Sequence, residues 1–183
     1  PPGRDGLGIS LFLWKSCPPK EVSVTSEAVP FVHLGARSEV SLGESIARVE
    51  ELCWEAARDS QGYLGLTDVN SLGRAPAFHA AAARAGLKPI IGAELDVLPF
   101  GEKQYRGATY RVRLLVEDLV GWRNLVRLVN HARAAESPNR PAFTTFEKLL
   151  EDPRGLLVLL GGVRGELTRF VAEGAYERAE AMI

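Results

Sequence analysis

Phe31-Val32-His33-Leu34-Gly35-Ala36-Arg37-Ser38-Glu39-Val40-Ser41 is the stretch best equipped for chemistry. It begins as a short apolar strand, turns through Gly35 and ends on Ser41, a residue type suited to capping a helix. An imidazole (His33), a guanidinium (Arg37) and a carboxylate (Glu39) crowd the end of that strand. In a parallel β/α protein the carboxyl ends of the strands face one rim, and ligands bind there. Asp68 follows a second apolar strand, Glu94 lies late in a third, and Gly161-Gly162 closes a fifth. Side chains of these types, gathered on one rim, suit a metal ion, a phosphate held by arginine, or mutual ion pairing.

Each residue also has an ordinary structural reading. An aspartate after a strand is often the cap of the next helix, and Asp68 is balanced between that role and the cleft. A lone histidine is more often a hydrogen-bonded core residue than a ligand, and His33 falls under that rule. Glu94 differs, because a carboxylate among Ile90, Ile91, Ala93 and Leu95 needs a partner. His79 and His131 sit in helical sequence with no motif around them.

The elements that must position these groups follow from periodicity. Residues 1–30 hold five prolines and little pattern, and read as an unassigned arm with one short strand at Ile9–Trp14. After the Phe31 strand, Ser41-Leu42-Gly43-Glu44 has capping-box spacing. Ile46, Val49, Cys53 and Ala56 then recur as one face of a helix reaching about Arg58. Strand sequence covers Tyr63–Thr67, helix roughly Gly73–Ala85 with Gly86 as its terminator, and strand Lys88–Val97. Phe100–Ala108 reads as a loop or hairpin connection and Tyr110–Val116 as a fourth strand. Asp118 caps a third helix whose face is marked by Leu119, Trp122, Val126, Val129 and Ala132 or Arg133. A short helix near Thr145–Glu151, a strand at Gly155–Leu160 and helical sequence from Glu166 complete the chain. Strand–helix alternation with nearly continuous apolar strands predicts an α/β fold with parallel pairing, closer to a barrel than to an open sheet.

The 183 residues suit one domain, here expected to span 31–183 behind the arm at 1–30. A formal net charge of −1 excludes a global electrostatic pull toward nucleic acid or anionic membrane. Cys17 and Cys53 form no metal spacing and point to a reducing, cytoplasmic setting. The apolar run Leu7–Trp14 is too short to span a membrane, so no membrane partner is expected. The sequence ends at Ile183 inside helical pattern, which suggests a piece of something longer, incomplete at its C-terminus.

Three motifs carry a resemblance: His33–Ser41, then Leu66-Thr67-Asp68-Val69-Asn70-Ser71-Leu72, then Gly86-Leu87-Lys88-Pro89-Ile90-Ile91-Gly92-Ala93-Glu94. Gly121–Val129, Leu159–Glu166 and Glu173–Glu180 extend it in order. Together they resemble the PHP (polymerase and histidinol phosphatase) domain, in the variant found at the N-terminus of bacterial DNA polymerase III α subunits. The resemblance implies a distorted (β/α) barrel whose rim holds up to three metal ions, zinc or manganese in active members. Such members hydrolyse phosphoesters, and in some polymerases the domain is a proofreading exonuclease.

This chain departs from that pattern at the ligands. The family's histidine pair falls on Gly35 and Arg37, and the histidine of its Thr-Asp-His motif on Val69. A later strand histidine falls on Arg111, the residue after the fifth strand on Gly162, and a last Asp-x-His pair would lie beyond Ile183. Asp68 and Glu94 survive, with His33 beside the lost pair. Two carboxylates without histidine do not make a hydrolytic metal cluster, so no catalytic residue, metal ligand or cofactor is expected. Arg37 and Arg111, always cationic, are expected to stand in for the metal charge beside Asp68 or Glu94. At about 4 Å such a pair gains roughly 4 kcal/mol at an effective dielectric near 20, much of it offset by desolvation. The same two arginines are candidates for binding a phosphate without hydrolysing it.

The expected function is therefore a catalytically degenerate domain with a structural or docking role in DNA replication. Its partners would be the rest of the polymerase α subunit, the proofreading exonuclease subunit and, through the parent DNA-directed DNA polymerase, DNA. Two alternatives stand beside it. One is a metal-dependent phosphoesterase or 3′–5′ exonuclease completed by residues outside this chain. The other is a free-standing, non-catalytic binding protein of the same fold.

Overall fold

The third strand, β3 (Lys88–Val97), is the axis of the molecule in the computed structural model, which describes residues 31–183 except Lys103. The arm at 1–30 and the strand expected at Ile9–Trp14 lie outside the described residues. On one side of β3 run β2 (Tyr63–Val69) and β1 (His33–Ala36), both parallel to it. On the other side run β4 (Tyr110–Val116) and β5 (Leu156–Leu159), each antiparallel to its predecessor in the order β1-β2-β3-β4-β5.

The expectation of all-parallel pairing and barrel closure is thereby corrected. The described strands form an open, mixed, five-stranded sheet with β1 and β5 at its edges. The physical reason lies in the connection after β3. Parallel neighbours need a long crossover, usually a helix, and the described residues of 98–109 contain none. The chain doubles back instead, and β4 carries the signature of a half-buried strand. Val112 and Leu114 are buried, while Arg111 and Arg113 alternate with them on the opposite face.

That alternation separates an apolar from a polar side. Leu64 and Leu66 of β2 pack beneath α1 (Val49–Arg58) and α2 (Ala75–Arg84). Ala93, Leu95, Val97, Val112 and Leu114 pack beneath α3 (Leu119–Ala134) and α4 (Phe146–Leu150). Strand register puts these residues on one face, so Gly92, Glu94, Asp96, Arg111 and Arg113 share the other. Two short helices, α5 (Glu166–Ala172) and α6 (Tyr176–Ala181), follow the turn after β5.

Strands β3 and β4 fall where the sequence places them, and Gly86 ends α2 with a φ of +74°, as a C′ glycine should. Two helical expectations are corrected. Helix α1 starts at Val49, not near Ser41, and Glu51 rather than Glu44 reaches back to accept from the Arg48 amide at 3.1 Å. Ile46 is therefore fully outside the helix and 95% exposed. In α3, Asp118 caps as expected, accepting from the Gly121 amide at 2.8 Å. Its buried face, however, is Gly121, Asn124, Leu125, Leu128, Val129 and Ala132, whereas Leu119 is 74% exposed. Leu125→Ala should accordingly cost about 2–5 kcal/mol in urea unfolding. Leu119→Ala should stay within about 0.5 kcal/mol, and the reverse order would contradict this helix register.

Candidate functional site

Two buried carboxylates lie near the ends of β2 and β3: Glu94 on the polar face, and Asp68, which the register sets beside Ala93, on the opposite face under the turn after β1. Asp68, 2% exposed, accepts hydrogen bonds from the Ser38 amide, the Ser38 hydroxyl and the Ser41 hydroxyl, each at 2.7 Å. Ser41 Oγ in turn accepts from the Val69 amide at 3.1 Å. The turn that follows β1 is thus pinned to the end of β2. This explains why Ser41 does not cap a helix: its hydroxyl is already engaged. Asp68 is likewise no helix cap, since Arg74 occupies that position before α2.

Glu94 is 4% exposed and surrounded by guanidinium groups. Arg37 donates from Nη2 to its Oε2 at 2.6 Å, and Arg113 donates from Nη2 and Nε to its Oε1 at 2.5 and 3.0 Å. Arg111 Nη1 lies 3.7 Å from Oε2. Arg111 itself binds Glu44 Oε2 at 2.6 Å and Asp96 Oδ1 at 3.1 Å. Glu44 also meets Arg37 at 3.3 Å and Arg164 at 2.6 Å. Asn70 completes the set through Asp96: its Nδ2 donates to Oδ2 at 2.9 Å, and its Oδ1 accepts from the Asp96 amide at 3.1 Å.

Gly35 belongs to this arrangement by its lack of a side chain. A Cβ there would fall 2.5–2.6 Å from the guanidinium atoms of Arg113. The arginine therefore fills the volume that a side chain at position 35 would need.

Electrostatics follow from these contacts. The hydrogen bond from Arg111, joined by the charges of Arg111, Arg164 and Arg37, holds the Glu44 carboxyl well below its ordinary value, at about 2, against the opposing effect of burial. Burial opposes the Arg111 charge too, but hydrogen bonds and attraction from Glu44 and Asp96 outweigh it and raise the pKa.

Among the residues singled out in the sequence, Gly35, Arg37, Glu94 and Arg111 converge here, while Asp68 holds the adjoining turn. Val69 pairs with Glu94 across the β2–β3 ladder. His33 does not converge: it begins β1, at the far end from this cluster, with its ring edge-on to Phe31 at 5.1 Å. Glu39 pairs with Arg74 instead. Gly162 lies in the turn after β5 with a φ of +80°, and that turn reaches the site because the Arg111 amide donates to the Arg164 carbonyl at 2.9 Å. Sequence reasoning missed Ser38, Glu44, Asn70, Asp96, Arg113 and Arg164. Two of these had a readable signal: Glu94-Leu95-Asp96 and Arg111-Val112-Arg113 place like charges two apart, hence on one face of adjacent strands.

The donor set is a poor match for a zinc or manganese cluster. The Glu94 oxygens already accept from arginine and the Asp68 oxygens from serine, and among the described residues no imidazole or thiolate bonds them. Among the described residues, no three His, Cys, Asp or Glu side chains group as metal ligands.

Comparison with known proteins places the chain. The family model for the PHP domain matches residues 33–183, so the chain belongs to the PHP domain family. It is 28% identical over 153 residues to the DNA polymerase III subunit alpha of Vibrio cholerae, covering 84% of this chain and 13% of that protein. It is 31% identical over 166 residues to the error-prone DNA polymerase of Symbiobacterium thermophilum, covering 82% and 14%. The chain thus spans about one seventh of the length of these relatives. Among solved structures, an amidohydrolase from Chromobacterium violaceum aligns over 57% of this chain and 34% of its own, at 23% identity and a TM-score of 0.44.

The depressed Glu44 pKa predicts a specific acid sensitivity. Its folded value lies below its unfolded one, so its stabilisation is present above pH 4.5 and lost as pH falls toward about 2. Denaturant titrations should find Glu44→Gln less stable than the parent at pH 7, with the gap closing across that interval. A gap that stays constant down to pH 2 would contradict the ion-paired state of Glu44.

Proposed function

We propose that this chain is a non-catalytic PHP domain of a DNA polymerase III α-type polypeptide, with a structural and docking role in DNA replication. The observation that carries this reading is the saturation of Glu94 and Asp68. Both oxygens of Glu94 accept hydrogen bonds from Arg37 and Arg113, and both of Asp68 accept from Ser38 and Ser41. A hydrolytic metal centre needs such carboxylates free to ligate and an open coordination position for water. Here Arg37 and Arg113 hold the central carboxylate, and Arg111 stands 3.7 Å away.

In this reading Gly35, Arg37, Val69, Arg111 and Gly162 mark former ligand positions, and the domain requires neither zinc nor manganese. Residues 31–183 form the domain and 1–30 an arm. Partners are the remainder of the polymerase α subunit and the proofreading exonuclease subunit, with DNA reached through the parent enzyme in the cytoplasm. Among the described residues no helix is long and apolar enough to cross a membrane.

The test is an exonuclease assay on 3′-labelled single-stranded DNA with manganese or zinc added, together with metal analysis of the purified chain. The expected result is no cleavage above background and less than stoichiometric metal. Metal-dependent cleavage that disappears in Asp68→Asn and Glu94→Gln would sink the proposal in favour of a working phosphoesterase. Glu94→Gln should instead act on stability, lowering it by about 3 kcal/mol in urea titration, because it leaves clustered guanidinium groups without their counter-charge.

A further inference from the structure

Arg111 is placed differently from every other arginine of the cluster. Its side chain is only 13% exposed, and three carboxylates from two separate segments surround it: Glu94 and Asp96 of β3, and Glu44 of the connection between β1 and α1. Glu94 and Asp96 are two residues apart and share a face, and Arg111 is directly opposite Asp96 in the β3–β4 register. Neither Arg37 nor Arg113 meets Asp96, and Arg164, 63% exposed, meets Glu44 alone.

We propose that Arg111 is the resident cation of this site: one guanidinium clasps the segment carrying Glu44 onto the strand ends and thereby covers the polar face. The inference rests on the non-catalytic reading above and gives it a mechanism of closure. A guanidinium suits this task because it stays charged and offers planar N–H donors that bind several carboxylates at once. A lysine offers a single point charge and cannot reproduce the fork.

The segment itself explains why a clasp is needed. Residues 41–48 form turns rather than a helix, and Leu42 and Ile46 are 88% and 95% exposed, so apolar burial does little to hold them. Ser38 and Ser41 anchor the segment at its start, through Asp68. The Glu39 amide bonds the Ala47 carbonyl at 3.0 Å, closing the loop on itself. Between those points Glu44 is the side chain that reaches the sheet, and of its two partners at 2.6 Å only Arg111 belongs to a strand, Arg164 lying in the turn after β5. A cavity of about 430 Å³, lined by Asp96, Tyr110, Arg111, Arg164 and Arg169 among others, opens beside that guanidinium. It offers a small solute a route to the place Arg111 would vacate.

The test is chemical rescue in the whole chain. Arg111→Ala should lower the thermal unfolding midpoint by about 6–12 °C. Methylguanidinium at low millimolar concentration should restore at least half of that loss, while sodium chloride and methylammonium at equal ionic strength should not. The parent chain and Arg164→Ala should show no such response, and Arg111→Lys should remain destabilised. Hydrogen exchange supplies a second measurement, with faster exchange in Arg111→Ala confined to residues 39–47 and α3 unchanged. If that variant does not fold, Glu44→Gln must give the same local increase. An unshifted midpoint, equal rescue by methylammonium, or exchange rising equally in α3 would overturn the proposal. Exonuclease activity would overturn the non-catalytic reading without bearing on the rescue, so the two fail separately.

Discussion

A carboxylate that is almost wholly buried must be answered by positive charge or by hydrogen-bond donors, and Glu94 imposes that demand on everything around it. Its place is fixed by β3, whose neighbouring positions face the apolar core under α3. The side chain therefore cannot turn away, and its compensation must come to it. It comes from two elements: Arg37 from the turn after β1, and Arg111 and Arg113 from β4. The reversal of β4 matters here. An antiparallel neighbour sets Arg113 opposite Glu94 and Arg111 opposite Asp96, so the two charged pairs interlock by register alone.

Four guanidinium groups, those of Arg37, Arg111, Arg113 and the exposed Arg164, meet the three carboxylates Glu94, Glu44 and Asp96, so each carboxylate on this half-buried face has a counter-charge. The net energetic gain is small, because desolvation consumes much of the Coulomb attraction. Breaking the set is another matter, since any deletion strands a partner. The cluster is therefore a poor source of stability and a strong constraint on geometry. Gly35 illustrates the constraint, for the guanidinium of Arg113 lies where a Cβ would have to be. The course of residues 37–48 illustrates it again, for Ser41 and Glu44 are drawn to Asp68 and Arg111 instead of starting a helix.

The sequence was most legible where one physical demand governed. Continuous apolar runs located β2 and β3, and alternation located β4, because burial of a strand leaves little choice of pattern. It was least legible where two demands competed for one residue. Ser41 and Glu44 have capping-box spacing, yet tertiary ion pairs and hydroxyl bonds claim both. The buried face of α3 lies about one position from where periodicity puts it, because Leu119 and Trp122 are apolar without being core, while Gly121 and Asn124 are buried for reasons periodicity does not register. Gly121 is pressed against Gly155, and Asn124 donates to the Arg154 carbonyl at 3.0 Å. His33 drew notice by its type, but register puts it at the opposite end of β1 from Arg37.

The proposed exchange of metal for guanidinium also bears on the segment over the polar face. A divalent ion draws ligands into a compact shell of about 2 Å bonds, with a position left for water when it is catalytic. A guanidinium holds its acceptors farther out, in one plane, and leaves no Lewis-acidic position behind. Glu44, Asp96 and Glu94 lie 2.6, 3.1 and 3.7 Å from Arg111, a spacing that a single small ion would have to collapse. In the proposed reading, carboxylates arranged in this way fasten a loop and do not bind an ion. On that reading Asp68 and Glu94 have a role that does not depend on catalysis: Glu94 is the counter-charge of arginines and Asp68 the acceptor of serines, and each fixes a different point of the same turn.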